Sequence, residues 1–218
     1  METKNSKLFT AALILLVALF VLTASIAVPI LFRPFYYWQI GPLNLEAQTG
    51  LSRAEIMQAY NEMIRYCTGL SSTFSTGVLP WSEVGYTHFT DVRGLFLLDL
   101  WVMCITGTLL VIWLLIRKRV SLQPHRPCGR SPLFWTGSGL LCVFILISGL
   151  AALDFSKAFV IFHSIFFPGK TNWLFDPRQD AIITILPEIF FRNCAICIVA
   201  VLMLSCILLM VAGRRKKA

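Results

Sequence analysis

Two histidines are the side chains in this sequence best suited to chemistry. Imidazole has an unperturbed pKa of about 6.5, so it can take up and release a proton near neutral pH. Successive side chains on a helix are about 100° apart, so residues three or four positions apart share one face. Four residues of this segment fall within about 80° of one another on such a face: His88, Asp91, Leu95 and Asp99. His163 stands beside a run of phenylalanines in the second half of the chain. A lone histidine in such a place is usually structural, whereas two that converge on one face of a helical bundle are more suggestive of acid–base chemistry.

Asp99 is an ionisable residue one or two turns inside an apolar run. A charge at that depth is costly and should face water or the interior of a helical bundle. Two interpretations fit the sequence equally well. Asp99 serves the function, or it forms a structural ion pair with Arg93 or Arg192.

Other reactive residues give weaker signals. His125 lies in a basic segment and is expected to be solvated. Cys194 and Cys197 spell CxxC, but they stand in an apolar run without a second pair, which favours packing over metal binding or redox chemistry. The sequence has no G-x-S-x-G, HExxH or P-loop motif, which argues against a serine hydrolase, a zinc protease and an ATPase. We therefore expect neither a metal nor an organic cofactor.

The elements that position these residues have the composition of a membrane protein. Hydrophobic residues make up 57% of the chain and charged residues 14%, whereas soluble domains have about 45–50% and about 25%. Four apolar runs reach the roughly 20 residues needed to cross the hydrocarbon core, at about 8–32, 95–116, 133–153 and 189–212. The sequence predicts an all-α integral membrane protein with four transmembrane helices and a single membrane domain, residues 1–218. The first run exceeds the roughly 7–15 apolar residues of a cleaved signal peptide, so we expect an uncleaved anchor.

Lysine and arginine are concentrated in three short segments. Eleven of the 19 basic residues lie within 4–7, 117–130 and 214–217, and loops rich in Lys and Arg stay in the cytoplasm. We therefore expect both termini inside, with the loops 33–94 and 154–188 on the extracytoplasmic side of a plasma membrane. The net charge of +8 then indicates topology and attraction to anionic lipid rather than nucleic-acid binding.

Both outer loops contain helix signals. Ser52 and Glu55 form a capping box at the start of an amphipathic helix that ends at Gly69. In the second loop, phenylalanines recur at helical spacing, at Phe155, Phe159, Phe162 and Phe166. Asp176 followed by Pro177 predicts the start of a further, apolar helix. We expect the helices of the second loop to lie in the membrane interface rather than to project into water.

Two segments resemble the signature regions of a known family. SEVGYTHFTDVR (82–93) and FHSIFFPGKTNWLFDPRQDAIITILPEIFF (162–191) are similar to the motifs of the bacterial lipoprotein intramolecular transacylases, called Lit. Those motifs read approximately E-x-x-H-M-x-D-V-K, and F-H-x-x-F-F followed by N-x-W, D-P, an Asp and F-P-E-x-F-F. The departures are Phe89 in place of Met, Arg93 in place of Lys and Leu186 in place of Phe. The resemblance extends over essentially the whole chain.

The resemblance implies an enzyme that acts on bacterial lipoproteins whose N-terminal cysteine carries a diacylglyceryl thioether. Such enzymes move the acyl chain on the sn-2 glycerol oxygen to the α-amino group of the same cysteine, which gives a lyso-form lipoprotein. His88 and His163 are then the implied catalytic pair. Residues expected to bind substrate or to support the pair are Glu83, Asp91, Arg93, Asp99, Asn172, Trp173 and Glu188. Diacylglyceryl-modified lipoproteins and membrane lipid are the expected partners.

Two other functions stay open on the sequence. A non-catalytic membrane assembly partner would use its outer loops to bind another membrane protein, and its buried polar groups would be structural. Another interfacial lipid enzyme, an esterase or an intermolecular acyltransferase, could use the same histidines. The fate of the acyl chain on a lipoprotein N-terminus distinguishes these functions, because transfer, no change and fatty-acid loss differ in mass.

Overall fold

The computed structural model describes residues 4–119 and 122–214. Strand β1 (Lys4–Ser6) leads into helix α1 (Lys7–Leu31), followed by α2 (Pro34–Tyr37), α3 (Leu45–Thr49), α4 (Arg53–Cys67) and α5 (Glu83–Ile116). Strand β2 (Leu122–Pro124) and a 3₁₀ turn (Pro127–Gly129) come next, before α6 (Pro132–Leu153), α7 (Phe155–Phe166), α8 (Ile182–Ile185) and α9 (Glu188–Ala212).

Four helices, α1, α5, α6 and α9, are long and apolar enough to cross a membrane. The shortest of them, α6, has 22 residues. At about 1.5 Å per residue, 22 residues cover about 33 Å, compared with a hydrocarbon core of about 30 Å. The structure confirms the prediction of an all-α fold with four transmembrane helices.

Helix α5 begins well before the apolar run that predicts the second span. It starts at Glu83 and continues for 34 residues, whereas the apolar run starts at Leu95. No proline interrupts the segment between them, so nothing removes a hydrogen bond from the helical ladder. His88 and Asp91 therefore lie on the same continuous helix as the span itself.

The second outer loop differs from its prediction in one respect. Asp176 does not start a helix, because its carboxylate accepts the backbone N–H of Arg178 at 3.0 Å in a local turn. The apolar helix α8 is limited to Ile182–Ile185. Asp and Asn side chains bond their own backbone two residues on as readily as they cap a helix, and here the turn is formed.

The described residues form two compact units. The first, named here the site unit, comprises Val28–Asp99 and Ala151–Cys197. The second, the basic unit, comprises the described residues within 1–27, 100–150 and 198–218. Each of the four long helices contributes residues to both units, and the expectation of a single membrane domain stays a prediction.

The core of the site unit is built around α4. The Ser52 hydroxyl accepts the Glu55 N–H at 3.3 Å and the Glu55 carboxylate accepts the Ser52 N–H at 2.8 Å, which confirms the capping box. On the buried face of α4, the ring of Tyr60 stacks on Tyr36 with centroids 3.8 Å apart. The Tyr36 hydroxyl donates to the carbonyl of Ile185 at 2.9 Å. Segments of both predicted outer loops thus share one core.

The basic unit contains two features that sequence patterns do not reveal. Strands β1 and β2 pair in parallel, with Asn5 opposite Gln123. Three-residue strands carry no hydrophobic alternation, which is the signal that predicts a strand. Helices α6 and α9 meet at Gly137, where a Cβ would lie 2.6 Å from the carbonyl oxygen of Cys206. A glycine is therefore required for this approach.

Candidate active site

His88 lies on the second turn of α5 and is only 6% exposed. Aromatic side chains surround its ring. The centroids of Phe167 and Phe175 lie 5.0 and 5.3 Å away, and that of Phe89 lies 5.8 Å away. This environment separates the imidazole from water.

His163 lies on α7, which begins where the Asp154 carboxylate accepts the N–H of Lys157 at 2.9 Å. Its ring is also 6% exposed and stacks on the indole of Trp173, with centroids 4.4 Å apart and planes inclined by 28°. Nδ1 lies 2.8 Å from the carbonyl oxygen of Phe159. A carbonyl can only accept a hydrogen bond, so Nδ1 carries the proton and Nε2 of the neutral ring keeps a free lone pair.

The two histidines are brought together by elements distant in sequence. Their ring centroids lie 6.0 Å apart and their planes are inclined by 29°. The rings are therefore close enough for one reacting group to contact both of them.

A polar network lies beside His88. The Asp91 carboxylate accepts from Lys170 Nζ at 2.7 Å and from Asn172 Nδ2 at 3.1 Å. The Asn172 side chain lies between Asp91 and the His88 ring. In the described part of the chain, Nδ1 of His88 and Oδ1 of Asn172 are both buried without a hydrogen-bond partner.

Arg93 and Asp99 do not form the ion pair suggested by the sequence. Arg93 donates to the backbone carbonyls of Tyr66 and Ser71 at 3.0 and 2.6 Å, and its guanidinium lies over the Tyr66 ring. Across residues 4–119 and 122–214, Oδ2 of Asp99 is buried and has no hydrogen-bond partner. The predicted pair of Asp99 with Arg93 or Arg192 is therefore wrong. Through its contacts with Tyr66, Arg93 on α5 instead connects that helix to the C-terminal end of α4.

Among the described residues, Glu83 and Glu188 make no hydrogen bond to either histidine ring. Glu83 is exposed on the first turn of α5. The Glu188 carboxylate accepts from the Ser156 hydroxyl at 2.6 Å, which ties the start of α9 to the start of α7. Trp173 does reach the site, where it covers His163. Within the described ranges, no three His, Cys, Asp or Glu side chains come together as metal ligands.

Burial also sets the protonation state of the site. The aromatic surroundings of His163 lower the pKa of its imidazole, because a charged ring loses hydration there, and the hydrogen bond to Phe159 opposes this only in part. His163 is therefore neutral at pH 7, and its Nε2 is available as a base.

Fold and site together define a class of protein: a helical membrane protein whose buried imidazole pair suits proton transfer in apolar surroundings. Comparison with known proteins then gives the family. The family model described as lipoprotein intramolecular transacylase Lit matches residues 11–191, so this chain belongs to the Lit family and is an acyltransferase.

Solved structures agree with this assignment. The membrane-integral lipoprotein intramolecular transacylase Lit from Bacillus cereus is similar, with a TM-score of 0.82 and 25% identity over 94% of this chain and 92% of that one. A variant of it with one histidine replaced by alanine gives a TM-score of 0.76 at 25% identity, over 94% and 90% of the two chains. No curated protein sequence matches the chain.

The protonation state of His163 can be checked directly by NMR. In protein with ¹⁵N-labelled histidine, we expect the His163 ring to titrate below the usual value of about 6.5 and to show the Nδ1–H tautomer at pH 7. The signal is assigned by its loss in His163→Gln, and denatured protein supplies the unshifted reference. A midpoint at or above 6.5 in the folded protein would contradict the neutral ring.

The polar network beside His88 predicts different effects on turnover for replacing Asn172 and for replacing Lys170. Asn172→Leu removes the group between Asp91 and His88 and should lower turnover by about 10–10²-fold, because catalytic geometry is sensitive to small displacements. Lys170→Met removes only a partly exposed ion pair, a type worth about 0–1 kcal/mol, and should change turnover by less than about threefold. Turnover of a lipopeptide substrate by purified variants measures both. Equal losses would show that the ion pair supports the ring as much as Asn172 does, and would contradict the distinction between them.

Proposed function

We propose that this chain moves the acyl group on the sn-2 glycerol oxygen of a diacylglyceryl-cysteine lipoprotein to the α-amino group of the same cysteine. The observation that carries the proposal is the 6.0 Å approach of two buried imidazole rings. The family and its similar solved structure, both described as lipoprotein intramolecular transacylases, support the substrate class.

The reaction needs two proton acceptors and one proton donor. The α-amine has a pKa of about 7.7–8.0, so it enters largely as an ammonium at neutral pH. His88 takes the first proton and frees the amine, whose nitrogen attacks the ester carbonyl. The attacking nitrogen then loses a second proton to Nε2 of His163, the atom left free by the bond from Nδ1 to Phe159.

The tetrahedral intermediate collapses when the carbon–oxygen bond to the glycerol breaks. His88 returns its proton to the departing oxygen, which becomes the sn-2 hydroxyl, and His163 releases its proton to solvent. One ester is lost, one amide is formed and one proton is set free. No serine or cysteine nucleophile is required, because the substrate supplies its own.

The proximity of the amine and the ester accounts for much of the remaining rate acceleration. Amine and ester belong to one molecule, so holding them in a reactive geometry replaces an encounter between two molecules, an effect that reaches effective molarities of about 10⁵–10⁸ M. The low exposure of both rings also keeps water away from the ester carbonyl. This favours transfer over hydrolysis, which needs a water molecule at the same place.

The four long apolar helices and the family place the chain in a membrane. We further propose that it is a multi-pass protein of a bacterial plasma membrane with both termini in the cytoplasm and the histidine pair on the extracytoplasmic side. The clusters of Lys and Arg within 117–130 and 214–217 support this orientation. Diacylglyceryl groups are anchored at the membrane surface, and membrane lipid surrounds the site.

Replacing either histidine tests the mechanism. Positioned acid–base groups contribute about 10²–10⁴-fold to a rate, so His88→Ala and His163→Ala should each reduce N-acylation by that order. His125→Ala is the matched control and should keep full activity. The readout is the fragmentation spectrum of a lipoprotein N-terminus after expression in a host without N-acylation. Full activity of either site variant would refute the paired mechanism, and loss of the fatty acid in the wild type would indicate an esterase.

Orientation is tested by thiol labelling in intact cells. Ala47 is exposed on α3, in the first predicted outer loop, and the native Cys128 is exposed in the basic segment. A membrane-impermeant thiol reagent should modify Ala47→Cys, in a Cys128→Ser background, without permeabilisation. In the wild type it should reach Cys128 only after the cells are permeabilised. The reverse pattern would invert the topology.

A further inference from the structure

A segment from Lys170 to Asp180, named here the strap, runs along the first turns of α5. At one end Lys170 and Asn172 bond to Asp91. In the middle the ring of Phe175 lies 5.3 Å from His88. At the other end Asp180 bonds to Ser82. From Lys170 to Asp180, the partners of the strap run from Asp91 on α5 back to Ser82, the residue before that helix. The strap therefore lies antiparallel to α5 and covers His88.

The two ends of the strap are held differently. At the Lys170 end, the ion pair with Asp91 has side chains that are 46% and 23% exposed, and exposed pairs contribute little. At the other end, Asp180 is only 4% exposed, and its neighbour Ala181 donates a backbone N–H to the carbonyl of Pro80 at 3.2 Å. The Asp180 end is therefore the fixed one.

Asp180 is fixed through the N-terminus of α5. Its two carboxylate oxygens accept the backbone N–H and the hydroxyl of Ser82, both at 2.8 Å. The Ser82 hydroxyl in turn accepts the N–H of Gly85 at 3.1 Å, in the manner of a helix cap. A carboxylate at this position also meets the positive end of the helix dipole.

Gly85 is the third member of this arrangement. A Cβ at position 85 would collide with the Asp180 carboxylate. A side chain as small as alanine therefore cannot coexist with Asp180 in its present place. The contact between Gly85 and Asp180 can therefore be disturbed in two independent ways, by removing the Asp180 carboxylate or by displacing it with a side chain at position 85.

We propose that Asp180 is a positioning residue for the histidine pair, because it fixes the strap that holds Asn172, Trp173 and Phe175 against the two rings. Trp173 stacks on His163, Phe175 contacts His88, and Asn172 connects to Asp91. Freeing the strap at Asp180 loosens all three contacts at once. The inference rests on the proposed transacylation and names the residue that maintains its geometry.

The test uses the purified full-length chain with a synthetic diacylglyceryl-cysteine lipopeptide in mixed micelles. Asp180→Ala should lower kcat by about 10–10²-fold, the cost of displacing catalytic groups by about 1 Å, while KM changes by less than about threefold. Asp180→Asn keeps the volume and one acceptor, and should fall between Asp180→Ala and the wild type. Asp176→Asn, an exposed acid on the same strap, is the matched control and should keep wild-type kcat.

A second readout separates positioning from folding. Diethyl pyrocarbonate modification followed by mass spectrometry reports the accessibility of each histidine, with His125 as the internal reference. Folded Asp180→Ala protein should be modified faster at His88 than the wild type. If Asp180 merely stabilises the fold, the yield of folded protein falls while kcat per folded molecule and the reactivity of His88 stay unchanged, and that result overturns the proposal.

Gly85→Ala keeps the test informative if Asp180→Ala folds poorly, because it displaces the Asp180 carboxylate without removing it. Where both variants fold, a double-mutant cycle compares them. Gly85→Ala alone should lower kcat, but should add little in the Asp180→Ala background, because the group that it displaces is already gone. Fully additive losses would contradict the proposal.

A wild-type chain that transfers no acyl group refutes the proposed function itself, whereas an active wild type with an equally active Asp180→Ala refutes only the role of Asp180.

Discussion

The approach of two imidazole rings inside a layer of aromatic side chains is the contact on which the other features of the site depend. A charged ring would be costly there, and the pKa of His163 is lowered accordingly. The neutral ring with its proton on Nδ1 is held by the Phe159 carbonyl and by the face of Trp173. Burial therefore does two things at once. In the proposed reaction it prepares a base for the amine and excludes the water that would hydrolyse the ester.

Three segments of the chain together determine the geometry of this contact. Helix α5 carries His88 on the same 34-residue helix that forms a membrane span, so the backbone that bears the ring is continuous with that span. Helix α7 carries His163 and is started by the Asp154 cap. The strap between Lys170 and Asp180 brings polar and aromatic groups to both rings. None of these segments could bury an imidazole by itself.

Local patterns in the sequence predicted much of this correctly. The four apolar runs, the capping box at Ser52 and the phenylalanine spacing of α7 are short-range signals, and the structure confirms each of them. The ion pair of Asp99 with an arginine, one of two interpretations of the sequence, is not formed in the described residues, where Oδ2 of Asp99 has no partner and Arg93 bonds to backbone carbonyls. Asp180 was not assigned to the site at all. Its partner Ser82 is 98 residues away, and no spacing rule connects residues that only the tertiary fold brings together.

The central claim is that the acyl group never leaves the molecule that donates it. An isotope crossover experiment tests this directly, with two lipopeptides incubated together with the chain. One carries a deuterated sn-2 acyl group on a light peptide, and the other an unlabelled acyl group on a peptide with heavy residues. Mass spectrometry should find the deuterated acyl group on the amine of the light peptide alone. Deuterated acyl groups on the heavy peptide would show transfer between molecules and would contradict an intramolecular reaction directed by the histidine pair.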